Sequence, residues 1–449
     1  MTKHERSTHA VVLGAGLAGL LSARVLSERY QTVTLVERDE LPDSPIQRRG
    51  IPQGHHLHGL LSRGSQVMEQ LFPGLLDELA AAGAQVIDDG DLSRIYTRIG
   101  PYGVNRRHKF TDPAALVTYQ ATRPLLEYQL RQRVGALAGV RLLDGHDVVA
   151  PTAPTPDRIT GVLVADRTTG ISTVLEADLV VDAMGRAART PAVLDELGYG
   201  RPPELRSPVR GAYFSQFLTL AGTELSERLV LVRPGADQRI GGLIAYEHDA
   251  WVLTLGGDDG ETPPADLHGM LALAEQSLPA HVLVALRSAS PLSDVTVFHH
   301  SGARWRRYDQ MSRLPAGLLV IGDALCTLNP THGQGMTVAA QQALALRDAL
   351  TGPEDELPRR FFRAAADVIG PTWAMNRSGQ QRTPSPGRPP RSLSKRLTNW
   401  TMTRAMQAAE HDIVLTERML RVSHLVDPPT RLQDPALLGR VLVSSLRRT

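Results

Sequence analysis

Gly14, Gly16 and Gly19 stand in a G-x-G-x-x-G spacing directly after the apolar run Val11-Val12-Leu13. Glycines so spaced let the backbone turn sharply and approach a pyrophosphate, whose charge then rests at the N-terminus of the following helix. Glu37 lies 18 residues beyond Gly19, at the end of the next apolar run, with Arg38 beside it. A carboxylate there accepts hydrogen bonds from ribose hydroxyls and disfavours a 2′-phosphate. These residues fit the binding of an adenosine dinucleotide, FAD or NAD.

A second constellation chooses between the two. The run Leu318-Leu319-Val320-Ile321 ends in Gly322-Asp323-Ala324, and Asn329-Pro330-Thr331-His332-Gly333-Gln334-Gly335-Met336 opens a long helical pattern. An aspartate at a strand end can accept a hydrogen bond from a flexible polyol. A Gly-x-Gly turn at a helix start presents N–H groups and a positive dipole end to an electron-rich ring edge. The pair suits the ribityl chain and pyrimidine edge of a flavin, although a left-handed turn with a helix cap would use the same residues.

The remaining reactive side chains form no catalytic pattern. His55, His56 and His58 have no acidic or cysteine ligand nearby, so they are expected to line the flavin or substrate cavity and to hold no metal. His299-His300 reads as structural and Cys326 as a small buried filler. No Ser-His-Asp order, paired-carboxylate motif or metal signature stands out, so no catalytic residue is assigned and the chemistry falls to the cofactor. Tyr213, Ser215 and Phe217 share one face of a predicted strand and Trp251 lies on another. With His58 they are the candidates for a substrate pocket, where plain sheet core is the alternative.

The elements that must position these residues can be read from periodicity. Val11–Leu13, a helix through Val25 and Leu26, and Val33–Val36 form a β-α-β unit of ~30 residues, as a parallel dinucleotide-binding sheet requires. Helical segments run to about Ala82, a further helix spans Pro124 to Leu137, and strands are predicted near Val140–Leu143 and at Leu179–Asp182. Residues 206–298 alternate like half-buried strands, and Gly333 to Leu350 is a long helix. The expected architecture is α/β. A discontinuous cofactor domain (1–90, 120–205 and 299–351) is interrupted by an antiparallel-sheet substrate domain (91–119 and 206–298). A helical C-terminal region follows (352–449), with a Pro/Arg-rich exposed loop at 383–391.

Composition narrows the function classes. The chain has 449 residues, enough for two or three domains or one large enzyme body. Its 49 basic residues nearly cancel its 47 acidic ones, and a net charge of +2 gives no electrostatic case for nucleic acid. Residues 352–449 hold 16 Lys and Arg against 9 Asp and Glu, read as the solvated basic face of a helical cap. The single cysteine excludes an internal disulfide framework and points to a reducing compartment, expected to be the cytoplasm. The apolar run Ala10–Ala23 follows Lys3 and Arg6 as a signal sequence would, but its spaced glycines argue against that reading. No stretch reaches the ~18 apolar residues of a membrane span.

Both glycine motifs together resemble the group A flavoprotein monooxygenases, over almost the whole chain. The resemblance implies a glutathione-reductase-type FAD-binding Rossmann fold. Gly14, Gly16, Gly19 and Glu37 match the family's FAD fingerprint, and Gly322 and Asp323 its Gly-Asp motif. Pro330, Gly333, Gly335 and Met336 fall in the segment that lies against the isoalloxazine. An arginine shortly after the ribose-binding glutamate is typical, and Arg48 or Arg49 is placed for it, with Arg49 carried into the candidate set. Arg123 in Thr122-Arg123-Pro124 looks like the arginine beside the pyrophosphate and ribityl chain. Asp182-Ala183-Met184-Gly185-Arg186 with Arg189 looks like the middle motif, linked to FAD and transient NAD(P)H contacts, with its usual adjacent Asp-Gly split here.

The run Arg49–His58 and the basic C-terminal helices are similar to bacterial flavin-dependent epoxidases of polyether and related polyketide pathways. The resemblance implies an FAD-dependent epoxidase or hydroxylase of antibiotic biosynthesis acting on a polyketide or terpenoid intermediate. Its oxygen would come from O₂ through a flavin C4a-hydroperoxide. Electrons would come from NADPH or NADH, directly or through a flavin reductase. Two rivals stay open: an FAD-containing redox-neutral cyclase of the [4+2] type, and a non-catalytic flavin-binding or storage module.

Overall fold

The computed structural model describes residues 8–207, 210–220, 225–233, 239–380 and 393–446. The Pro/Arg-rich segment 383–391 lies outside the described residues.

Five short apolar strands form one parallel sheet in the order Leu318–Val320, Leu179–Asp182, His9–Leu13, Thr32–Val36, Val140–Leu143. Their sequences lack alternation because the central strands are buried on both faces, as helices covering a parallel sheet require. Leu13 pairs with Val36 on one side and Asp182 on the other, and Asp182 pairs with Val320. Four strands therefore end on one line, and Gly14, Glu37, Ala183 and Ile321 emerge from the same edge. In open α/β sheets that carboxyl edge is where ligands bind.

The helix Leu17–Leu26 follows the first strand and is buried on most of its surface, against the long helix Gly335–Ala349 among others. Gly19 lets this helix close on the turn and strand before it, since a Cβ there would sit 1.8 Å from the Gly14 carbonyl oxygen.

A second sheet of eight strands carries the alternating segments, in the order Ala289–Pro291, Gly211–Leu220, Ala250–Gly257, Gly241–Ala245, Leu229–Arg233, Ile95–Ile99, Tyr102–Gly103. The strand Thr296–His300 also pairs with Gly211–Leu220, so this sheet continues through His300, past the expected boundary at 298. The sheet is antiparallel except where Leu229–Arg233 runs parallel to Ile95–Ile99. One face, with Phe214, Leu218, Val230, Val232, Trp251 and Leu253, forms a core with Met270, Val282 and Leu286 of the helices Leu267–Ala274 and Ala280–Leu286. The other face turns toward the parallel sheet.

The C-terminal helices close the space between them. Leu357–Gln380 packs on Gly335–Ala349, with the Trp373 ring 5.9 Å from Trp305. Leu393–Ala409 and Ile413–Ser423 return to the eight-stranded side. There Glu410 accepts the Gly103 N–H at 2.8 Å, and Glu417 accepts both the N–H and the hydroxyl of Thr111 at 2.7 and 2.6 Å. No helix among the described residues is long and apolar enough to cross a membrane.

The packing predicts an asymmetry between neighbouring glycines. Gly19→Ala should cost about 2 kcal/mol or more through overpacking. Gly16→Ala, whose nearest neighbour would be Ile51 Cδ1 at 3.6 Å, should remain near wild-type stability. Urea denaturation of both variants checks this, and equal midpoints would contradict the packing assignment.

Candidate functional site

The carboxyl edge of the parallel sheet opens into a single cavity of about 1030 Å³ that extends under the eight-stranded sheet. At its first end the Gly14 N–H bonds to Val36 oxygen at 2.7 Å, drawing the turn over the sheet edge. Gly14 has φ +98°, and a Cβ there would meet the Ala183 oxygen at 2.9 Å. Glu37 is anchored in place: Oε2 accepts the Ala15 N–H at 2.9 Å and Oε1 the Asp39 N–H at 3.1 Å.

A buried charge cluster fixes this end. Arg48 lies 3.1 Å from Glu37, 3.2 Å from Asp39 and 3.3 Å from Glu127, and also donates to Ala15 oxygen at 3.1 Å. Burial alone would lower its pKa, but Glu127, Glu37 and Asp39 outweigh that and hold it above the ordinary value. Thr122 caps the helix Arg123–Gly135, which places Arg123 on its first turn and Glu127 one turn on, joined at 2.6 Å. Adjacent Arg49 is exposed and does not reach the cavity, which corrects its assignment: the chain direction at this loop turns Arg48 inward and Arg49 to solvent.

Gly14, Gly16, Glu37, Arg38, Arg48 and Arg123 all line the cavity, whereas Gly19 serves the packing behind it. Asp182 is fully buried, with its pKa raised by desolvation. It accepts from the Thr190 hydroxyl and the Met184 N–H, and so shapes the turn that presents Arg186 and Arg189 to the cavity.

At the other motif, Gly322 adopts φ +66°, and a Cβ would lie 2.6 Å from that of Ala18. Its N–H donates to Gln342 at 2.8 Å. Asp323 lines the cavity and is exposed to it. Desolvation raises its pKa against the pull of Arg186 and Arg123, and among the described residues its carboxylate has no hydrogen-bond donor. Pro330, Gly333, Gly335 and Met336 line the same wall. A Cβ at Gly333 or Gly335 would meet no atom within 4 Å, so these glycines leave space over the first turn of the helix Gly335–Ala349, where N–H groups lack helical acceptors. The anchored Glu37, the donor-free Asp323 and this cleared helix terminus fit an FAD molecule, with its ribose, ribityl chain and flat ring system at the three places.

The substrate-side expectations fare unevenly. His58 lines the cavity, but Trp251 does not: it pairs across from Leu218 and is buried in the core on the outer face, which corrects its assignment. Tyr213, Ser215 and Phe217 face inward yet stand behind the lining. Tyr213 bonds to Thr331 at 2.8 Å, Ser215 to His56 Nδ1 at 2.8 Å and Thr254 at 2.7 Å, and Phe217 stacks on Tyr246. The loop of histidines lies over them. His58 Nδ1 meets His56 oxygen at 2.8 Å, and Tyr246 holds the His58 backbone. Among the described residues no three His, Cys, Asp or Glu side chains converge as metal ligands.

The actual lining was missed. It consists of Ile95, Thr97 and Ile99 with Leu229, Leu231 and Arg233 on the parallel strand pair, and Met419, Leu420 and His424 from the C-terminal helices. The period-two pattern of Leu229-Val230-Leu231-Val232-Arg233 was the available signal.

Residues 7–355 match the family described as FAD binding domain. The chain is 36% identical over 448 residues to Protein Rv3254 of Mycobacterium tuberculosis, covering 98% of this chain and 94% of that one. It is 25% identical over 382 residues to kynurenine 3-monooxygenase of Salinispora arenicola, covering 78% and 74%. The structure of p-nitrophenol 4-monooxygenase PnpA from Pseudomonas putida superposes with a TM-score of 0.67 at 14% identity, covering 95% of this chain and 100% of PnpA.

Two measurements test this geometry. Arg48→Met should destabilise the fold by about 3–5 kcal/mol, because buried Glu37 and Asp39 lose their cation and Glu127 keeps only Arg123, while Arg49→Met should be nearly neutral. Comparable denaturation midpoints for the two variants would contradict the cluster.

Buried histidines make the second. His56, His58, His300 and His424 are held at about 4 and His332 at about 3, chiefly by burial. They are neutral when folded and take up protons near 6.5 when unfolded. The unfolded state therefore binds more protons below pH 6.5, and stability should fall from there toward pH 4, by up to about 1.4 kcal/mol per pH unit for each. Midpoints at pH 7 and pH 5 check the sign, and His56→Gln should make the dependence shallower.

Proposed function

We propose that this chain, a member of the FAD binding domain family, is an FAD-dependent monooxygenase that oxygenates a sizeable, largely apolar secondary-metabolite intermediate. Epoxidation of an alkene is the leading reaction and hydroxylation the next. The parallel-sheet part of the chain serves the cofactor, and the eight-stranded sheet, through His300, serves the substrate together with the helix Ile413–Ser423. Electrons come from NAD(P)H, directly or through a separate reductase.

The observation that carries this reading is the continuity of the cavity from Glu37 and Asp323 to the apolar wall of Ile95, Leu229 and Leu231. A pocket of this kind, apolar with few polar groups, suits a small organic substrate. FAD, when bound, supplies the activation of O₂ and the transfer of one oxygen atom to the substrate. Glu37 and Asp323 would accept hydrogen bonds from its hydroxyls. The cleared turn at Gly333 and Gly335 would admit the ring, and the helix start would offer N–H donors to its edge. Leu229, Leu231, Met419 and Leu420 exclude water. Burial lowers His58 and His424 to about 4 and His332 to about 3, which makes them weak bases, and an alkene needs no prior deprotonation, so none of these three has to act as a general base.

Turnover of a polyketide or terpenoid alkene in the presence of NADPH and ¹⁸O₂ should place ¹⁸O in the product. Anaerobic, reductant-free conversion would overturn the reading in favour of a redox-neutral cyclase. Gly335→Val should fold normally, because no protein atom stands within 4 Å of its Cβ, yet lose oxygenation by crowding the cofactor. Wild-type turnover in that variant would remove the contact assigned to this turn.

A further inference from the structure

Arginines around the cavity differ in how their charge is answered. Arg48 has three carboxylates and Arg123 has Glu127. Arg233 has none. It ends the strand Leu229–Arg233, whose alternation sends Val230 and Val232 into the core and Leu229, Leu231 and Arg233 to the cavity. Its side chain is half-buried at the cavity wall and, among the described residues, has neither an ion-pair partner nor a hydrogen-bond acceptor. Burial lowers its pKa with no opposing acid. A guanidinium nevertheless keeps its proton, and with it five N–H donors in a planar fork.

The groups nearest in charge cannot answer it. His332 and His424 line the same cavity, and both are held neutral, by burial first and then by the charge of Arg233 itself. The His424 Nδ1 accepts the Ser62 N–H at 3.4 Å and lies 2.9 Å from its hydroxyl, so the ring proton sits on Nε2. Among the described residues this cation thus stands uncompensated, beside imidazoles held neutral and an apolar wall. An isolated buried charge is costly unless something pairs with it.

We infer that the substrate carries an oxyanion, a carboxylate or a comparably acidic enol, that pairs with the Arg233 guanidinium while its apolar body lies along Ile95, Leu229, Leu231, Met419 and Leu420. The inference rests on the proposed substrate chamber and adds a head group to the apolar molecule assigned to it. A bidentate carboxylate matches the guanidinium fork. The pairing fixes which end of an elongated substrate lies at Arg233.

The test is calorimetric titration of the FAD-loaded protein with octanoate and with octanamide, its neutral isostere. Octanoate should bind at least about tenfold more tightly, the size expected of a charge-assisted hydrogen bond. In Arg233→Gln the two should agree within about twofold, with FAD retention and thermal midpoint unchanged or the midpoint raised, since removing an unpaired half-buried charge relieves its cost. Equal affinities in the unsubstituted protein, or no octanoate binding, overturn the inference. So does loss of FAD from Arg233→Gln with no acid preference in the parent, which would assign the guanidinium to the cofactor. Should Arg233→Gln fail to fold, Arg233→Lys decides: it keeps a preference for the acid if the charge is what the ligand reads, and an equal response overturns the claim. Binding measured this way needs neither O₂ nor reductant, so its outcome and that of the ¹⁸O₂ experiment fail separately.

Discussion

The hydrogen-bond register of five short parallel strands brings distant parts of the chain to one line. Leu13 faces Val36 and Asp182, and Asp182 faces Val320, so that turns at Gly14, Glu37, Ala183 and Gly322 open on the same edge. A slip of one residue in any pair would turn the following loop toward the wrong face. The positive φ values at Gly14 and Gly322, and the absence of room for a Cβ at either, show how tightly those loops return over the sheet. The cavity exists because the eight-stranded sheet and the C-terminal helices close over that edge.

Within the cavity, charge is handled in two ways. Near Gly14 the protein answers its own charges: Arg48 and Arg123 share Glu37, Asp39 and Glu127 in a buried cluster that holds the loop after the second strand. Farther in, Asp323 and Arg233 are left without protein partners among the described residues, and the neighbouring histidines are neutral. Low-dielectric surroundings strengthen whatever a ligand offers to such groups. The first arrangement makes a scaffold; the second leaves groups to be satisfied by what binds.

Much of the cofactor side was legible because its signals are local. Strands buried on both faces show as unbroken apolar runs, and glycines at turns are required by backbone geometry, so Val11–Leu13 and Gly322 fell where expected, while the long helix expected from Gly333 starts at Gly335 because Gly333 turns left-handed before it. The choice between Arg48 and Arg49 was not local, since it depends on which of two adjacent side chains the loop turns toward Glu127. Trp251 shows the same limit: alternation separates two faces of a strand, but only the helices Leu267–Ala274 and Ala280–Leu286 decide which face is outward. The substrate wall pairs Ile95–Ile99 with Leu229–Arg233 across a long stretch of chain and adds side chains from the C-terminal helices, so its composition had no contiguous signature.

The central claim is that Glu37 and Asp323, brought to one cavity by the sheet register, hold the two ends of a single FAD. Absorbance of the purified protein before and after heat release of the chromophore measures this most directly. The account requires about one non-covalent FAD per chain, with weaker retention in Glu37→Ala and in Asp323→Ala, each losing charge-assisted hydrogen bonds worth about 1.5–3 kcal/mol. A colourless protein that takes up no added FAD would contradict it.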